Sequence, residues 1–138
     1  MIACDSQATD GETKEEIAFP KIRKLNGELY GLSGHVSARR PIWDWIRSGA
    51  ERKDLPDLDD YEWQVLRVNA RYAYVIDNDD FDWLRVNQPY GIGSGGKYAV
   101  AALKAMGRDI NQDDMRHAVR IACSIDAFSG GRVRILAL

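Results

Sequence analysis

The stretch Tyr90 to Ala101 (YGIGSGGKYAVA) constrains this chain more than any other. Gly91, Gly93 and Gly96 satisfy the G-x-G-x-x-G dinucleotide pattern, between a β-like run (Trp83 to Val86) and a helical one. In a nucleotide fold those glycines admit a pyrophosphate to a helix N-terminus, with an acidic residue ~20 positions on binding the ribose. Here the acids at that distance, Asp113 and Asp114, open another helix rather than end a strand. Too little chain follows for a second βαβ unit, so the glycines are not read as a nucleotide site. By default Ser94, flanked by glycines, is a strand-to-helix turn residue.

The rest of the chain reads as one domain over 1–138. Ile22 to Leu25 and Leu29 to Leu32 are apolar-rich runs joined through Asn26-Gly27, a strong hairpin signal. Ser37 reads as an N-cap, with Pro41 in the first turn and Ile42, Trp45 and Ile46 on one face of a short helix that Gly49 ends. Trp43 and Trp45, two positions apart, cannot share a helical face, which leaves one for a partner. Residues 51–62 are acidic and aperiodic, a loop. Val65 to Val68 and Tyr72 to Ile76 form a second hairpin, followed by a turn at Asp77 to Asp80. Ala99, Ala102, Leu103 and Met106 mark a helix closed by Gly107. Asn111 caps the next, with Met115, Ala118, Val119, Ala122 and Ile125 as its buried stripe; Arg132 to Leu138 alternates like a strand. Hairpins interleaved with helices imply an α+β layered domain.

Charge and composition remove several classes. A formal net charge of −2 argues against a nucleic-acid partner. No apolar run approaches the ~20 residues that cross a bilayer, and Asp5 follows Met1-Ile2-Ala3 too soon for a signal peptide. Cys4 and Cys123 lack metal-type spacing and read as reduced cysteines of a cytoplasmic protein. Asp77, Asp79, Asp80 and Asp82 lack the glycine and glutamate of an EF-hand loop, so a hairpin turn is preferred over calcium. His35 and His117 have no partners at ligand spacing.

Four motifs in order carry a resemblance. Ile2-Ala3-Cys4-Asp5-Ser6-Gln7-Ala8-Thr9, Lys21-Ile22-Arg23-Lys24-Leu25, Tyr30-Gly31-Leu32-Ser33-Gly34 and Gly93-Ser94-Gly95-Gly96 resemble the proteasome β-subunits, and especially their bacterial relative, the HslV peptidase of a two-component ATP-dependent protease. The resemblance covers most of the chain, including Met115 to Leu138. It implies a four-layer αββα sandwich of the N-terminal-nucleophile hydrolase type, two antiparallel sheets between helices. It also implies a threonine-type endopeptidase of intracellular protein degradation. An N-terminal threonine hydroxyl would be activated by its own α-amine, whose pKa of ~7.7–8.0 suits a base near neutrality. Lys21 matches the lysine that depresses that pKa, Asp5 the carboxylate that holds the lysine, and Ser94 the serine that hydrogen-bonds the amine. The Gly34 backbone N–H matches the oxyanion donor. Cys123, Asp126 and Ser129 match positions whose backbone carbonyls hold a monovalent or divalent cation; no other cofactor is implied.

The chain departs from the family in two places. Only one short helix fits after Gly34, where the family has two long ones. Met1 falls inside the family's second strand, so the first strand and the threonine, on the order of a dozen residues, are missing from it. As written the chain is expected to be inactive, with a polypeptide substrate, a homo-oligomeric ring and an ATPase unfoldase as the implied partners. The alternative is a catalytically inactive structural or regulatory ring subunit of the same fold.

Overall fold

The computed structural model describes residues 1–10, 13–16, 20–107 and 109–138, and of 8–10 and 13–16 the backbone only. Its frame is a five-stranded antiparallel sheet whose strands lie side by side in chain order. Strands β4 (Ile22–Leu25) and β5 (Glu28–Gly34) turn through Asn26 and Gly27, at φ of 52° and 78°. Two positive values are what a two-residue hairpin turn needs to match strand twist. Strands β6 (Trp63–Val68), β7 (Ala73–Asp77) and β8 (Leu84–Val86) continue the meander. The Asp77 carboxylate accepts the N–H groups of Asp79 (3.0 Å) and Asp80 (2.9 Å), so the acidic cluster is a turn held by its own backbone.

Period-two alternation divides the sheet into two faces. Tyr30, Leu32, Trp63, Val65 and Ile76 meet helix α1 (Val36–Arg47) on one side. Leu29, Leu66, Val68 and Ala73 meet Ile2 on the other. The α1 cap is His35, not the expected Ser37: the chain leaves β5 at Gly34, and the His35 Nδ1 accepts the Ser37 N–H at 3.2 Å. Pro41 lies inside the helix rather than in its first turn. It removes one backbone bond, and the helix persists because Ala38, Ile42 and Ile46 are packed on the sheet.

Neither tryptophan of α1 is left over. Trp43 and Trp45 are 2% and 3% exposed, which overturns the partner expectation built on them. The Arg23 guanidinium lies 5.0 Å from the Trp43 ring centroid. Trp45 stacks on Trp83 at 6.0 Å and donates its Nε1–H to the Glu51 carbonyl at 2.8 Å. The segment after the helix folds back and covers the face that the helix alone would expose.

Against the second face lies a smaller antiparallel pair, β1 (Ile2–Cys4) with β9 (Arg134–Leu136). Strands β2 (Gln7–Asp10) and β3 (Thr13–Glu16) form a separate hairpin. Helices α2 (Gly96–Met106) and α3 (Gln112–Ile125) pack together, and α3 rests on β1 and β9. The layers are therefore α1, the five-stranded sheet, the β1–β9 pair and α2–α3: an α+β sandwich with two antiparallel sheets between helices. A capping box starts α3, with the Asn111 side chain accepting the Asp114 N–H (3.0 Å) and the Asp114 carboxylate accepting the Asn111 N–H (3.0 Å). Ile125, expected in the buried stripe, is 57% exposed. A helix of this length runs about 21 Å over strands of about 10 Å, so its last turn overhangs them.

Leu29, fully buried where β5 faces β1, reports on this core. Leu29→Ala should lower unfolding free energy by about 2–5 kcal/mol in urea titration, with an unchanged slope.

Candidate active site

A cleft of about 1210 Å³ opens between β1, the second face of the large sheet and the α2–α3 pair. β1 pairs with β9 along one edge, and no described strand pairs with its other edge. The cleft runs along β1 from Met1 to Asp5, and none of its lining residues comes from β9. Apolar side chains such as Ile2, Leu66, Val100 and Ala118 line much of it, with the chemistry at one end.

That end begins with Asp5, just past β1. Its Oδ1 accepts the Lys21 Nζ at 2.6 Å, while its Oδ2 accepts the N–H of Gly130 (2.8 Å) and of Gln7 (3.3 Å). The two side chains are only 16% (Lys21) and 13% (Asp5) exposed. Lys21 is fixed from behind, since its carbonyl accepts the Leu32 N–H at 2.8 Å across the start of β4. A charge pair this enclosed is costly to break from either side, because the survivor keeps its desolvation cost without its partner.

The second group is a carboxylate held by two hydroxyls. Ser94 Oγ donates to Asp126 Oδ2 at 2.7 Å, and Ser129 Oγ donates to the same oxygen at 2.5 Å. Ser94 comes from the glycine-rich turn before α2, and Asp126 and Ser129 from the turn after α3. Burial raises the Asp126 pKa, but hydrogen bonds from Ser129, Ser94 and the Phe128 backbone, with the charge of Lys97, outweigh it and hold the carboxyl below its ordinary range. An ionised carboxylate only accepts, so both hydroxyl protons point at Asp126. The free lone pairs of the two serines are left to accept from a donor in the cleft.

The glycines serve this assembly rather than a nucleotide. A Cβ on Gly91 would stand 2.6 Å from the Gly96 carbonyl oxygen, and one on Gly95 would stand 2.5 Å from Ser129 Oγ. Gly93, at φ 75°, lies against Ser33 and donates its N–H to Gln64 Oε1 at 3.0 Å. Gly34, at φ 125°, is pressed against the Glu62–Trp63 backbone, where any Cβ would collide.

Asp5, Lys21, Gly34, Ser94, Cys123 and Ser129 all line this one cleft, and Asp126 joins them through its serines. His35 lines it too; His117 does not. The Asp126 carboxylate is the group that sequence reasoning missed, having taken that residue for a backbone carbonyl donor. Its signal was an acid at a helix C-terminus, the end where the macrodipole disfavours negative charge. The cysteines are poor nucleophiles. Burial, aided by the Asp5 charge, pushes the Cys4 thiol up to about 11 against the opposing charges of Lys21 and Arg134, and burial raises Cys123 as well. Among the described residues no group of three or more His, Cys, Asp or Glu side chains is placed to hold a metal ion.

Two antiparallel sheets between helices are also the fold of solved HslV-type structures. Among solved structures the chain is similar to HslV from Trypanosoma brucei, at 22% identity and a TM-score of 0.71, covering 96% of this chain and 88% of that one. It is equally similar to BPH of Thiobacillus denitrificans, at 20% identity with the same coverages. The TM-score is 0.74 for that protein alone and 0.70 for its complex with epoxomicin. No protein-family model and no curated protein matches the sequence. No helix among the described residues is long and apolar enough to cross a membrane.

The lowered Asp126 pKa fixes a pH dependence. A depressed folded-state pKa stabilises above the unfolded value, ~3.9 for an aspartate, and the contribution is lost as pH falls through the folded value. The stability difference between the native chain and Asp126→Asn should therefore be full near neutrality and shrink in acid. Urea titrations at several pH values read this directly, and a constant difference would remove the ionised carboxylate from the account.

Proposed function

We propose that this chain is a threonine-type peptidase subunit of the proteasome and HslV kind, its nucleophile borne on an N-terminal strand that adds to the edge of β1 that no described strand covers. The carrying observation is the convergence of the Asp5–Lys21 pair and the Ser94–Asp126–Ser129 network on one cleft beside that edge. Each group then has a task. The Lys21 ammonium lowers the pKa of an adjacent α-amine, and Asp5 holds Lys21 in place. The serine oxygens accept from the amine, which takes the hydroxyl proton as the threonine attacks a peptide carbonyl. The Gly34 N–H stabilises the resulting oxyanion.

Unfolded polypeptide is the substrate in this reading, within a cytoplasmic homo-oligomeric ring fed by an ATPase unfoldase. The carbonyls of Cys123, Asp126 and Ser129 suit a hard cation in donor chemistry, although that of Asp126 already accepts the Ser129 N–H at 3.2 Å. Such a cation would brace the turn that carries Ser129, and no proton transfer depends on it.

The 138-residue chain should not cleave fluorogenic peptide amides, because no described hydroxyl or thiol stands beside a free α-amine. A version extended by a strand that matures to an N-terminal threonine should cleave them, and epoxomicin should inhibit it. Lys21→Ala in that version should lower the rate by up to ~10²–10⁴-fold, because the amine that acts as general base loses the charge that tunes it. Epoxomicin-insensitive cleavage by the unextended chain would overturn the mechanism. An extended, processed chain that stays inert would make this an inactive ring subunit of the same fold.

A further inference from the structure

The cleft contains a cation that the proposed chemistry leaves unused. Arg39, the fourth residue of α1, lines it together with Asp5, Ser33 and Gly34. Arg39 makes no hydrogen bond or ion pair with any described residue. Arg47, Arg52 and Arg67 have carboxylate partners in Asp44, Asp82 and Glu28, whereas Arg39 is the arginine among the cleft's described lining residues. None of the cleft's acids, Asp5, Glu62, Asp77 and Asp79, forms an ion pair with Arg39; Asp5 is committed to Lys21, and Asp77 to the amides of its own turn. Burial lowers the Arg39 pKa, and the charge of Asp5 offsets this only partly. The guanidinium is thus partly stripped of water without receiving a partner in return, a cost that an incoming anion would remove.

We infer that Arg39 selects for a carboxylate side chain, Asp or Glu, in an extended peptide bound along the cleft. The assignment rests on the peptidase reading above and adds the substrate class to it. A planar guanidinium fork matches a carboxylate with two parallel hydrogen bonds, which an amide of the same shape cannot reproduce. The discrimination is therefore one of charge and geometry rather than size.

The test is peptide binding to the full 138-residue chain, which needs no turnover. Fluorescent hexapeptides, acetylated and C-terminally amidated, carry Glu or Gln at one central position; a third, with Gln, has a free C-terminal carboxylate. In anisotropy titrations the Glu peptide should bind about tenfold more tightly than the Gln peptide, the scale of one charge-assisted contact. The preference should weaken with salt, vanish in Arg39→Met and survive in part in Arg39→Lys. Equal affinities for Glu and Gln peptides in the native chain would overturn the assignment while leaving a peptide cleft intact. So would a preference unchanged in Arg39→Met, or one shown only by the free C-terminal carboxylate. If none of the peptides binds, the assignment and the peptidase reading fall together. The native chain's own Glu-to-Gln ratio decides the matter even where a variant does not fold.

Discussion

The Asp5 carboxylate is the tie on which the site depends. It joins three segments distant in sequence: the corner between β1 and β2, Lys21 before β4, and Gly130 after α3. Gly130 answers in kind, its carbonyl accepting the N–H groups of Ser6 (3.2 Å) and Gln7 (3.1 Å). Gln7 then extends its side-chain amide to the Ala127 carbonyl at 3.1 Å. The turn fixed in this way is the one that carries Asp126 and Ser129. One carboxylate therefore orients the lysine directly and anchors the serine–aspartate network at its base. Neither half of the cleft could be adjusted without disturbing the other, because they share this anchor.

The second constraint is the closeness of backbones. Ser94 reaches Asp126 only because Gly95 and Gly96 let the turn before α2 approach the turn after α3 and fold onto Gly91. A methyl group at Gly95 would occupy the place of the Ser129 hydroxyl. The glycine pattern that imitates a nucleotide loop thus answers the same physical need, backbone approach, toward a different end. In a nucleotide fold the approaching group is a pyrophosphate; here it is another turn of the same chain.

Elements whose signal is local were legible in the sequence. Asn26-Gly27 specified its hairpin, the Asn111–Asp114 pair its helix start, and apolar alternation both faces of the large sheet. Asp5, Lys21, Gly34, Ser94 and Ser129 were legible as a group only through resemblance, since nothing in their spacing says that they meet. What escaped depended on tertiary packing. One tryptophan of α1 looked surplus because helical periodicity cannot see Arg23 over Trp43, or Trp83 and the Glu51 carbonyl against Trp45. His35 displaced Ser37 as cap because the path out of β5, set by Gly34, places the imidazole over the first helical N–H groups. Asp126 was hidden because the periodic stripe of α3 points to Ile125 as the buried neighbour, whereas the turn after the helix closes the aspartate against Ser94 and Ser129.

The network around Asp126 has a direction, and that direction narrows what the cleft accepts. With the carboxylate ionised, each serine spends its only proton on it and turns lone pairs outward. Lys21 adds a positive charge that Asp5 has already neutralised in sum but not in position. A second ammonium at this place would be hydrogen-bonded by the serines yet repelled by the lysine. A neutral amine would keep its N–H donation and escape the repulsion. The charge of Lys21 thus works against the ammonium form of such an amine, while the serines orient it. A carboxylate guest would find acceptors already facing acceptors. In the proposed reading the guest is the α-amine of the nucleophile, its N–H groups oriented by the serines while the charge of Lys21 opposes its protonation.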